Sequence, residues 1–76
     1  MNILIIKKIH TRILSKSTGT PKELALKLNV SERTIYSYIR FMKRELKAPI
    51  IYNRLKNTYQ YEGNCNINFT NSKKNN

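Results

Sequence analysis

Among its 76 residues the chain has no aspartate, four glutamates, one histidine (His10) and one cysteine (Cys65). So few titrating side chains leave no acid–base pair or nucleophile triad at useful spacing. Two glycines cannot build a Gly-rich phosphate loop, so an enzyme is not expected. A single cysteine excludes an intrachain disulfide and a Cys-based zinc site, and no metal or cofactor is expected. A reduced, cytoplasmic setting fits. Long hydrophobic runs are also missing. The apolar stretch at residues 3–6 meets Lys7 and Lys8 at once, which is too short for a signal segment or a membrane span. The length allows one domain with a small core and marginal stability.

What the chain has in excess is positive charge. Fifteen Lys and Arg against four Glu give a formal net charge of +11 and a pI near 10.2. Such a chain repels itself unless a polyanion neutralises it, so DNA, RNA and an anionic membrane surface are the candidate partners. Ten Lys beside ten Asn and ten Ile match the codon bias of an AT-rich genome. That bias accounts neither for the five Arg nor for where they sit. A membrane surface fits worst, because no segment pairs a broad apolar face with its basic residues.

Apolar periodicity divides the chain. Ile6, Ile9 and Ile13 form a helical stripe with Ile5 and Leu14 beside it, which predicts a helix over about residues 2–16, frayed at its start. His10 falls at the stripe's edge as a boundary residue. Residues 17–20, with Gly19, break the pattern. Thr20, Pro21 and Glu23 then supply an N-cap, a first-turn proline and a capping box. The short helix that follows presents Leu24, Ala25 and Leu28 on one face and stops at Asn29, a residue tolerant of left-handed backbone. Ser31 caps a third helix over about residues 32–47, with Glu32 favourably placed in its first turn. Its inward stripe is Ile35, Tyr38, Ile39, Met42 and Leu46, and Ala48-Pro49 ends it. Residues 50–52 and 58–61 read as the strands of a hairpin around a polar turn at 53–57, with Tyr59 and Tyr61 on one face. Cys65, Ile67 and Phe69 alternate as a third, edge strand. Residues 70–76 are expected to be a disordered basic tail after a domain over residues 1–69. The fold expected is mainly α with a small antiparallel β-hairpin.

Residues 21–46 also carry a tighter pattern. Ala25 is small where two helices cross, Asn29 sits at the turn, Val30 fills the space beneath it, and Ile35 anchors the following helix. Small, turn, apolar and apolar at those offsets make a helix-turn-helix, and the hairpin beyond adds a wing with Arg54 and Lys56 at its tip. This organisation resembles the type 11 helix-turn-helix family, as in the N-terminal domains of biotin-repressor-like and DeoR-like regulators and in short DNA-binding proteins of Bacteroidetes. The resemblance covers roughly residues 4–62 and is most specific in LALKLNVSERTIYSYI, residues 24–39. It implies a bacterial, cytoplasmic protein that binds duplex DNA sequence-specifically. Those regulators usually carry an effector or enzyme domain, which these residues do not supply.

In a three-helix winged helix-turn-helix the third helix enters the major groove. Arg33, Thr34 and Ser37 are therefore the expected base readers, Arg33 by forking onto guanine. Ser31, Tyr36, Arg40, Lys43, Arg44, Arg54 and Lys56 are the expected backbone contacts. Tyr38 is expected in the core, and Tyr52, Tyr59 and Tyr61 in the packing of the hairpin. A single wing domain reads few base pairs, so a homodimer or a partner protein is expected. Two other readings stand beside DNA binding. One is an RNA- or ribosome-binding module. The other is a protein-interaction or assembly module, for which Phe41, outside the core stripe, would be a dimer contact rather than boundary packing.

Overall fold

A computed structural model describes residues 1–63. Three helices, α1 (Ile3–Leu14), α2 (Pro21–Leu28) and α3 (Glu32–Glu45), precede two strands, β1 (Ile50–Asn53) and β2 (Thr58–Tyr61). The third strand expected around Cys65, Ile67 and Phe69, the tail at 70–76 and the domain boundary at 69 lie outside the described residues.

Local chemistry sets each helix boundary. Asn2 caps α1, its side chain accepting the Leu4 amide at 2.9 Å, so the start expected to fray is capped instead. Thr20 and Glu23 form the anticipated reciprocal box. The Thr20 N–H donates to Glu23 Oε1 at 2.8 Å, and the Glu23 N–H donates to Thr20 Oγ1 at 3.2 Å. These bonds hold the Glu23 carboxyl below its ordinary pKa, the Thr20 amide being the main cause. Gly19, at φ 74°, lies so close that a Cβ there would stand 2.6 Å from Glu23 Oε1, so the box requires a glycine. Ser31 caps α3 by accepting the Thr34 amide at 3.1 Å. Each such cap contributes about 1 kcal/mol.

The helices end by a shared device. Asn29 is left-handed, at φ 58°. Beyond it the Val30 N–H reaches back to the Ala25 carbonyl at 3.0 Å, a Schellman closure. The end of α1 repeats this geometry with Lys16 at φ 54° and Ser17 N–H donating to Arg12 O at 2.9 Å. Lys47, at φ 57°, turns the chain out of α3, and Ala48 N–H reaches Met42 O. Left-handed lysines stop α1 and α3 two residues before the expected ends, at Leu14 and Glu45.

The core joins Ile6, Ile9 and Ile13 of α1 to Leu24 and Ala25 of α2, and to Ile35, Tyr38, Ile39 and Met42 of α3. Ala48, Ile50 and Tyr59 close it from the hairpin side. Leu46, expected in the buried stripe, lies just beyond the helix and is half-buried. Val30 and Phe41 lean on the core from its rim. In the antiparallel hairpin Ile50 faces Tyr61 and Tyr52 faces Tyr59, so both anticipated tyrosines lie on one face. The Tyr52 and Tyr59 rings meet edge-on with centroids 4.9 Å apart. Burial pushes the Tyr59 phenol up to about 12.

A polar seam ties the hairpin to the helices. Thr18 and Thr58 are fully buried, 40 residues apart, with hydroxyl oxygens 3.1 Å from each other. The Tyr59 N–H donates to Thr18 Oγ1 at 2.8 Å, and the Thr18 N–H donates to Thr58 Oγ1 at 3.2 Å. Two backbone amides thus find partners inside the fold without water. His10 and Tyr61 add a second tie, His10 Nδ1 lying 2.7 Å from the Tyr61 hydroxyl oxygen. This tie makes His10 a boundary residue between α1 and β2. The seam fixes the angle at which the wing leaves the helices.

Candidate nucleic-acid interface

One face of α3 is committed to the core, which determines what the other can do. With 3.6 residues per turn, Arg33, Ser37, Arg40 and Arg44 fall within a sector of about 60° opposite Ile35, Ile39 and Met42. All four are exposed. They form an outward ridge of three guanidiniums and one hydroxyl along an exposed helix face. Guanidinium forks suit both base edges and phosphates.

The flanks of the ridge differ. Towards the wing lie Tyr36 and Lys43. Tyr36 is 47% exposed and so belongs to the surface rather than the core. Its hydroxyl donates to Glu32 Oε2 at 3.0 Å, a bond that raises the phenol's pKa. The Tyr52 and Tyr59 phenols lie near enough to interact with it electrostatically, which places this flank beside the hairpin. On the opposite flank Thr34 is half-buried, and its hydroxyl oxygen lies 2.9 Å from Ser31 Oγ. Of the three expected base readers, then, Arg33 and Ser37 share the ridge. Thr34 lies one face over, its hydroxyl engaged at the cap. Phe41 lies half-buried on that same flank. It leans on the core and lines a shallow groove of about 300 Å³ with Met1, Ser37 and Arg44.

The wing tip is short and held in shape. Asn53 Oδ1 accepts the amides of Leu55 and Lys56 at 3.0 and 3.1 Å, and Asn57 is left-handed at φ 50°. This Asx turn leaves the side chains of Arg54, Leu55 and Lys56 exposed at the apex. Leu55 is 96% exposed between the two cations. Sequence reasoning passed over it, although a lone apolar residue inside a polar turn is a visible signal. Arg54 and Lys56 sit at the tip, as expected.

Among the described residues no group of three His, Cys, Asp or Glu is placed to hold a metal ion. No described helix is long and apolar enough to cross a membrane. What the site offers is a convex, cationic helix beside a cationic turn.

No curated protein and no solved structure matches the chain. A family model does, over residues 6–58, and that family is described as an HTH domain. The match begins inside α1 and ends at the first residue of β2, so it takes in all of α2, the turn, α3 and the wing tip. The three helices, the Asn29 turn and the hairpin agree with that match, and the chain belongs to the type 11 helix-turn-helix domain family.

Proposed function

We propose that the protein binds double-stranded DNA as a transcriptional regulator, laying α3 in the major groove and the wing against the sugar-phosphate backbone. The observation that carries this reading is the exposed row of Arg33, Ser37, Arg40 and Arg44 on a helix whose opposite face is buried. Arg33 and Ser37, near the N-terminal end of α3, read base edges, with Thr34 at the margin of that set. Ser31 and the open amides at the start of α3 hold a phosphate. Arg40, Lys43 and Arg44 follow the backbone along the helix, Tyr36 lays its ring against the sugar-phosphate chain, and Arg54 and Lys56 grip it from the wing. This is binding without catalysis. With DNA as its ligand the protein acts in the cytoplasm of a bacterial cell, either as a homodimer or with a partner protein.

The energetics follow from charge. Neutralising about six phosphates gives a log–log salt slope near −5. Sequence-independent affinity is then about 10⁻⁴–10⁻⁶ M at physiological salt, and the base contacts must add the discrimination. Selection of bound duplexes from a random pool at two salt concentrations tests this directly. An enriched motif that persists at the higher salt is expected. A pool that stays random, or structured RNA that outcompetes duplex DNA at equal salt, would contradict it.

A further inference from the structure

A second cationic surface lies away from the ridge, in an open groove of about 520 Å³ between α1, the loop after it and the end of α2. Lys7, Lys8 and Arg12 of α1 line it together with Lys27 of α2. Ser15 and Ser17 add hydroxyls, their oxygens 2.7 Å apart. Lys27 is anchored, its Nζ donating to the Ser17 carbonyl at 3.1 Å and to the Thr18 carbonyl at 3.4 Å. Among the described residues none of the lining side chains is acidic, and the only aliphatic one is Leu28.

The composition of the groove selects its occupant. A small-molecule site is enclosed and mostly apolar, and this one is open and cationic. A protein partner would need a buried aromatic or aliphatic anchor at its centre, and Leu28 alone does not provide one. Lysines, an arginine and hydroxyls along a helix are what a phosphate backbone requires, with no base contacts needed. The groove shares no residue with the α3 ridge or the wing, so its contacts are separate from theirs.

We propose that the groove lined by Lys8, Arg12 and Lys27 binds the phosphate backbone of a second DNA segment, so that one molecule bridges two duplexes. The proposal rests on the reading of α3 as the first DNA contact. The second contact is sequence-independent and sensitive to salt, and it brings separate sites, or distant parts of one site, together.

The test uses the full chain, one immobilised duplex and one labelled duplex in solution. Binding to the immobilised duplex and co-capture of the labelled one are read separately. The wild type should co-capture. K8Q/R12Q should lose co-capture about tenfold and lower the salt slope of that step by about 2, while affinity for the immobilised duplex stays within about twofold. K16Q/K22Q removes the same charge outside the groove and should retain co-capture. Saturated immobilised duplex without co-capture overturns the proposal. Co-capture that survives K8Q/R12Q also overturns it, because bridging then comes from self-association. Equal loss in both double variants reduces the effect to net charge and overturns it too. Polyglutamate displacing the second duplex better than unlabelled DNA of equal charge would reassign the groove to an acidic protein. Absence of any binding to the immobilised duplex overturns the reading of α3 itself, and is distinguishable from all of these.

Discussion

The α2–turn–α3 unit and the seam between α1 and the wing hold the same small protein together by opposite means. The unit is made of near neighbours in sequence. Thr20 meets Glu23, Val30 reaches Ala25, and Ser31 meets Thr34. Its remaining strength is aliphatic, centred on Leu24, Ile35 and Met42, all without exposure. The seam is made of distant partners and polar atoms, with Thr18 on Thr58 and His10 on Tyr61. The unit shapes the helix that carries the ridge, and the seam ties the hairpin to α1 and the loop after it. A substitution in the unit should therefore cost stability first, and one in the seam should loosen the wing.

That contrast can be broken at several points. The largest effect is expected in the unit, where Ile35→Ala removes a fully buried side chain and should cost about 2–5 kcal/mol in denaturant unfolding. Next is the seam. Thr18→Val keeps the shape but strips the acceptor from the Tyr59 amide and should cost about 1–3 kcal/mol. Faster hydrogen exchange should accompany it in β2. If Thr18→Val costs as much as Ile35→Ala, the seam is no subsidiary element.

Smaller effects sharpen the comparison. Lys16→Gly relieves a left-handed lysine and should stabilise by about 1 kcal/mol, less the extra entropy of the unfolded chain. Asn29→Gly should gain only a few tenths, about 0.3 kcal/mol, because asparagine already tolerates the conformation. Equal gains at the two sites would mean that side-chain identity does not set the strain. The smallest effect is pH dependence through His10. Burial lowers its pKa below the ordinary 6.5, so its contribution is complete above 6.5 and declines as pH falls through the lowered value. Between pH 8 and 5 the wild type should lose stability that His10→Gln does not lose. Glu23, held below its ordinary 4.5, stays charged across that window.

The same division decides what the sequence could reveal. The capping box, the Asn29 turn, the Ser31 cap and the hairpin are chemistry between residues a few positions apart, and all were legible. So were Arg33, Ser37 and Arg40, because the buried stripe of α3 leaves them only one direction to point. The bend at Thr34 Oγ1 towards Ser31 was not, since a cap residue and a base reader share the same hydroxyl. The helix ends at Leu14 and Glu45 are not legible, because lysine in left-handed backbone, as at Lys16 and Lys47, carries no signature. Thr18 and Thr58 looked like ordinary loop and strand residues until a tertiary contact 40 residues long joined them. The α1–α2 groove escaped for the same reason, since Lys8 and Arg12 meet Lys27 only in the fold.

The central claim is that the outward side of α3 reads bases while the wing supplies only attraction. The most direct measurement is the affinity of wild type, Arg33→Ala and Lys56→Ala for a selected duplex and for random duplex at one salt concentration. Arg33→Ala should lose about 1–3 kcal/mol more on the selected duplex than on the random one, and Lys56→Ala should lose the same on both. Equal losses for Arg33→Ala on the two duplexes would contradict the account.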